Sequence, residues 1–208
     1  MINKEILDFL DEEFPTAHCE LNYKKDYEFL IAVMLSAQTT DKAVNEATAI
    51  LFSKYPSLND LGNADKFDIE KCISRLGMYK VKASNVKGIA RRLLSDYGGK
   101  VPNDSEALLS LPGVGNKTKN CVLGELYNEP LLACDTHVQR TSKRLGLVNE
   151  NDSVEEIERK LVKIIPQNRI VKTNHQIIWF GRYMCKAQHP LCERCKLHSF
   201  CKERHYLK

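Results

Sequence analysis

Leu111-Pro112-Gly113-Val114-Gly115-Asn116-Lys117-Thr118 closes one short helix and opens another. Pro112 ends the first, because it has no N–H to donate and its ring clashes with the preceding turn. Gly113 and Gly115 permit the backbone conformations that a tight hairpin requires. A second helix starting at Asn116 leaves its first N–H groups without carbonyl acceptors, which makes an anion site. A helix–hairpin–helix of this kind, over 104–127, can hold a DNA phosphate without reading sequence. The plainer reading is an interhelical turn with no ligand. Gly113, Val114, Gly115 and Thr118 are the candidate DNA contacts of the hairpin.

Helical periodicity extends outward from the hairpin in both directions. Residues 2–14 carry apolar side chains at 2, 6, 7, 9, 10 and 14, the spacing of one helix face. Residues 27–37 predict a buried helix, and 40–55 follows with Thr39 or Thr40 as N-cap and Pro56 just beyond its end. Further helices fit 65–76, 82–97, 104–109, 116–127, 136–145, 154–164 and 171–184, with Gly77, Gly98-Gly99 and Gly146 as C-terminal caps. No segment alternates cleanly enough to be a strand, and neither a repeat nor a low-complexity linker is evident. The predicted fold is all-α.

Lys117 falls in the first turn of the second hairpin helix, an unfavourable place for a cation because the helix dipole is positive there. Local rules broken without compensation tend to mark function. A neutral lysine amine is a nucleophile suited to Schiff-base chemistry, and partial burial is expected where a lysine is used so. A phosphate-binding lysine is the alternative. Eighteen residues on, Asp135 directly precedes an amphipathic helix in Ala133-Cys134-Asp135-Thr136-His137-Val138. Its default role is an N-cap, which is compatible with a second role as a fixed carboxylate.

Cys185, Cys192, Cys195 and Cys201 are spaced C-x6-C-x2-C-x5-C. In a reducing compartment such clustered thiols hold metal more often than they pair, and four thiolates fit either zinc or an iron–sulfur cube. Cys19, Cys72, Cys121 and Cys134 stand singly among apolar residues and read as packing. The chain has 208 residues, 43% hydrophobic and 28% charged, which suits one large domain or two small ones. Its N-terminus lacks the basic-then-apolar order of a signal peptide, and no apolar run can span a bilayer, so a cytoplasmic protein without membrane contact is expected. Net charge is +4 but uneven: −5 over residues 1–28, +5 over 80–100 and +4 over 185–208. Basic segments separated in sequence can converge on a phosphate-binding face, although a charge run is more often a solvated helix face.

LPGVGNKT at 111–118, the CDTH run at 134–137, LSAQTTD at 35–41 and the cysteine spacing together resemble the endonuclease III family of DNA glycosylases/AP lyases. The resemblance runs in order over nearly the whole chain. It implies two helical domains with a DNA cleft between them: a six-helix barrel at 21–132, and an iron–sulfur domain from 1–20 plus 133–208 with its cluster loop at 185–201. It implies Lys117 as catalytic lysine, Asp135 as catalytic aspartate and the four cysteines as ligands of a 4Fe-4S cluster. Gln38 matches the glutamine that fills the gap left by an extruded nucleotide, and Met78 stands where the family usually has a leucine wedge. Plain core packing is the alternative for Met78. His137 is implied as a contact to the opened pocket or backbone, with a packing histidine as the alternative. The implied function is base excision repair by a monomer acting on damaged double-stranded DNA: release of oxidised pyrimidines, then β-elimination through a lysine imine. The competing readings are a mismatch adenine or thymine glycosylase on the same scaffold, a non-catalytic helix–hairpin–helix DNA-binding protein, and an electron-transfer iron–sulfur protein. Against the adenine branch stand Lys117 and a chain ending at Lys208, since that branch generally lacks the lysine and carries a further C-terminal domain.

Overall fold

Every residue of helix α2 (Asp26–Leu35) after the first is buried, as befits a helix that is apolar on all sides. The computed structural model describes residues 1–203, and among these the chain is helical with no strand. It divides into two compact units, one from Glu20–Tyr127 and the other from Met1–Cys19 with Asn128–Lys208.

The Glu20–Tyr127 unit is built on α2. It continues with α3 (Asp41–Lys54), α4 (Leu58–Asn63), α5 (Lys66–Cys72), α6 (Tyr79–Asp96), α7 (Ser105–Leu109) and α8 (Asn116–Tyr127). Thr40, not Thr39, caps α3, its hydroxyl accepting from the Ala43 N–H at 3.3 Å. The six helices marked out by periodicity are joined by a seventh, α4, which is too short and too rich in Asn and Gly to show a period. Its start is fixed by a reciprocal capping box between Ser57 and Asp60. Helix α6 starts three residues before the expected position 82. Gly77 does not take the left-handed cap conformation expected of it; Met78 does, at φ +58°.

Four cations of the basic run on α6 are hydrogen-bonded to main-chain carbonyls of the same unit. Lys82 Nζ donates to Ala37 O at 2.9 Å, Lys87 Nζ to Ala64 O at 2.7 Å, Arg91 Nε to Gly62 O at 3.0 Å and Arg92 Nη1 to Ser110 O at 3.0 Å. These carbonyls lie at the C-terminal ends of α2, α4, α4 and α7, where unpaired acceptors and the negative end of the dipole favour cations. Lys80, Arg91 and Lys100 are exposed, and of these only Arg91 also donates to such a carbonyl.

The other unit holds α1 (Lys4–Glu13), α9 (Thr136–Arg144), α10 (Val154–Ile164) and α11 (Ile170–Trp179), which runs into a π-helical turn at Phe180–Met184. Ile6, Leu10, Val138, Ile157, Leu161, Ile177 and Phe180 form its core, with Phe9 and Phe180 edge-to-face at 5.7 Å. Helix α1 is fastened to α11 by the fully buried Gln176, whose Nε2 donates to Leu10 O at 3.1 Å, Phe14 O at 3.3 Å and Asp11 Oδ1 at 3.0 Å. Burial alone would raise the Asp11 carboxyl. Hydrogen bonds from Lys172 and Gln176, with the charges of Arg169 and Lys172, outweigh that and hold it down at about 2. Among the described residues no helix is long and apolar enough to cross a membrane.

Candidate functional site

Between α7 and α8 the chain turns sharply, with the Val114 N–H donating to Leu111 O at 3.2 Å. Gly113 takes φ +76°, and a Cβ there would sit 2.3 Å from Asn85 Nδ2 and 3.2 Å from Met34 Cγ. Glycine is therefore needed at 113 for backbone and for space. Gly115 is different: its φ lies outside the left-handed region, and nothing stands within 4 Å of where its Cβ would be. The expectation that both glycines serve the turn is corrected, and Gly115 instead leaves the first turn of α8 open to approach. The first helical bond runs from the Lys119 N–H to Gly115 O at 2.9 Å, so Asn116, Lys117 and Thr118 have N–H groups with no intrahelical acceptor. Val114 is buried and anchors the hairpin, Thr118 is half-buried, and Lys117 is exposed where partial burial was expected.

The seat of this hairpin is a stripe on α6 that sequence reading missed. Asn85 covers Gly113, Gly88 admits Pro112 (a Cβ at 88 would meet Pro112 Cγ at 2.9 Å), and Arg92 holds the end of α7 through Ser110. The spacing i, i+3, i+7 with a glycine inside a long helix is the signal that was available. Gly113→Ala is expected to cost about 1–2 kcal/mol from the left-handed backbone alone. Gly115→Ala should cost only the fraction of a kcal/mol by which alanine is the poorer N-cap, yet weaken DNA binding. Urea unfolding and duplex titration of the two variants check both halves; equal destabilisation would contradict this division of roles.

Two other sequence-singled residues lie in the same unit. Gln38 is exposed at φ +54°, and Met78, at φ +58°, is 54% exposed, which removes the core-packing reading of Met78. Side chains held in left-handed backbone are uncommon and concentrate at functional positions.

Asp135 caps α9 as expected: its Oδ1 accepts from the N–H groups of both His137 and Val138 at 2.8 Å, and Oδ2 takes part in neither bond. His137 is half-buried, and its Nδ1 lies 3.2 Å from Arg140 Nη2. Arginine can only donate, so Nδ1 accepts and the imidazole proton sits on Nε2. Burial lowers the His137 pKa against the pull of Asp135, consistent with a neutral ring. Arg140 also donates to Gly181 O at 2.8 Å and Cys185 O at 3.1 Å, joining the helix that Asp135 caps to the first cysteine of the loop. Gly181 permits this approach, since a Cβ there would stand 2.8 Å from His137 Cβ. Neither Arg140 nor Gly181 carries a motif that marks it in sequence.

Cys185, Cys192, Cys195 and Cys201 all line one cavity, walled by Leu145, Phe180, Met184, Leu191 and Leu197. None is in a disulfide. Among the described residues no three His, Cys, Asp or Glu side chains converge to hold a single metal ion. Burial pushes the Cys185, Cys192 and Cys195 thiols up, while the Arg144 guanidinium, 3.6 Å from Cys185 Sγ, pulls Cys185 the other way. Lys196 is paired with Glu12. Lys186 and Arg194 are exposed.

Residues 31–167 match the family described as HhH-GPD superfamily base excision DNA repair protein. Over 197 residues the chain is 43% identical to endonuclease III of Bacillus subtilis, covering 95% of this chain and 90% of that protein. The chain belongs to the endonuclease III family. It is 40% identical over 200 residues to endonuclease III of Escherichia coli K12, covering 95% of this chain and 93% of that one. A solved structure of a trapped endonuclease III–DNA covalent intermediate matches with a TM-score of 0.91 and 44% identity, over 98% of this chain and 97% of that chain. A thermostable thymine-DNA glycosylase matches less closely, with a TM-score of 0.78 and 27% identity over 95% and 92% of the two chains. As a member of the endonuclease III family the chain is a DNA glycosylase with AP lyase activity.

Proposed function

We propose that this enzyme removes oxidised pyrimidines from duplex DNA and cuts the strand 3′ to the abasic site, working as a cytoplasmic monomer. The observation that carries the reading is an exposed lysine amine, Lys117, in the open first turn of α8 behind a glycine-turned hairpin. Unpaired N–H groups of that turn hold a phosphate, which places the sugar of the same nucleotide near the amine. Gln38 and Met78 enter the duplex as wedges, and a damaged base, being poorly stacked, leaves the helix at least cost.

The Lys117 amine attacks C1′ as the bond from C1′ to the base breaks, and the base departs with a proton. Asp135 steadies the positive charge on the sugar; its carboxylate is held by two helix N–H groups through one oxygen, leaving the other outside the cap. The C1′–O4′ bond then breaks, O4′ takes a proton, and the opened sugar is left as an imine between Lys117 and C1′ that acidifies the 2′ hydrogen. Loss of that proton breaks the C3′–O bond, the strand is cut, and water frees the lysine. His137, with its proton on Nε2, is a donor to DNA backbone or pocket.

What supports a 4Fe-4S cluster is the donor set: four thiols, one per iron, line a single cavity together with Leu145, Phe180, Met184, Leu191 and Leu197. Bound there, the cluster would cross-link 185–201 and fix Lys186 and Arg194 toward phosphates. The purified protein is expected to be yellow-brown with about four irons per chain. Cys192→Ser should remove the colour and weaken DNA binding most at low salt, with a shallower salt dependence than wild type, while leaving weak lyase activity on abasic DNA. Stoichiometric zinc in anaerobically purified protein would contradict the cluster and leave the lyase standing.

Substrate class is tested with duplexes carrying one thymine glycol, one A·G mismatch or one T·G mismatch. Release and strand cleavage on thymine glycol alone is the expected result, and preference for either mismatch would overturn the assignment.

A further inference from the structure

Lys82 is 3% exposed, and no carboxylate pairs with it. A buried cation without a counter-charge is expensive, and a methionine of the same length would pack at far less cost. Its Nζ donates to Ala37 O and Thr39 Oγ1, both at 2.9 Å, the residues on either side of Gln38. Thr39 Oγ1 in turn donates to Ala37 O at 3.2 Å, so the three groups close a triangle around the Gln38 turn. The main chain of Lys82 faces the other way: its N–H donates to Met78 O at 3.0 Å, in the first turn of α6 that Met78 caps. One residue thus touches both left-handed turns, by side chain at 38 and by backbone at 78.

We propose that Lys82 is a positioning residue that locks the Gln38 turn to the Met78 turn, so that the two wedges enter the duplex as one rigid unit. The inference rests on the wedge reading of Gln38 and Met78. An exposed turn in left-handed backbone relaxes unless its surroundings hold it. The ammonium supplies that hold from beneath, donating at once to a carbonyl and a hydroxyl that flank Gln38. Lys82 does not touch DNA and acts only through the placement of Gln38 against Met78.

The test uses the full-length protein and a duplex with 2-aminopurine opposite a non-cleavable abasic analogue, whose fluorescence rises as the base unstacks. Wild type is expected to raise it at saturation. Lys82→Met, which keeps the stem and removes the donors, should lose most of that rise and slow single-turnover base release from duplex about tenfold. Cleavage of an abasic site in single-stranded DNA, which needs no wedge, should stay within about twofold. Thr39→Val, which removes one acceptor without burying a changed charge, should give an intermediate loss and decides the matter if Lys82→Met does not fold. Unchanged fluorescence in the variants, or parallel loss of single-stranded and duplex cleavage in folded protein, would overturn the coupling. No rise with wild type would overturn the wedge reading itself, and the coupling with it.

Discussion

Lys117→Gln is expected to abolish imine trapping and to lower strand cleavage by roughly 10³-fold or more, while binding to damaged duplex stays nearly intact. Removing the nucleophile deletes a covalent step. Phosphate binding does not go with it, because the hairpin holds its anion through backbone N–H groups at the start of α8, and these do not depend on the side chain at 117. The fold should also be unaffected: Lys117 is exposed, and glutamine is nearly as good a helix former. Gel-shift titration beside a cleavage assay separates the two effects. Loss of binding in step with cleavage would return Lys117 to a phosphate contact.

Asp135→Asn should slow base release by roughly 10²–10⁴-fold with little change in melting temperature or affinity. Asparagine still offers an Oδ1 to the His137 and Val138 N–H groups, which the carboxylate meets at 2.8 Å, so α9 keeps its cap. What it loses is the negative charge that opposes a cationic sugar. Activity that fell only as far as the folded fraction fell would leave Asp135 a cap and nothing more.

Much of this was legible in the sequence because helix ends announce themselves. Helices α8 and α10 take the expected bounds, 116–127 and 154–164, where a glycine turn and a Ser153 capping box mark the starts. Asp135 was legible as a cap for the same reason. The short α4 escaped because its six residues are held by contacts with α6 rather than by periodicity. Gly77 misled because composition favours glycine at a left-handed position, yet the structure puts that conformation on Met78 and so presents it outward. The surroundings of the α6 cations were the least legible. Whether a lysine meets phosphate or a neighbouring helix end depends on partners such as Ala37, Ala64 and Ser110, up to 45 residues away, and no local pattern records them. The same limit hid Asn85, Gly88, Arg140 and Gly181, whose roles are set by what approaches them.

The proposed chemistry joins one amine, that of Lys117, covalently to the sugar. Wild-type protein incubated with abasic-site duplex and borohydride, then digested and mapped by mass spectrometry, tests it most directly. One sugar adduct on the peptide containing Lys117 is the predicted result. An adduct confined to the N-terminal amine or to another lysine such as Lys119, or none from folded and DNA-binding protein, would contradict it.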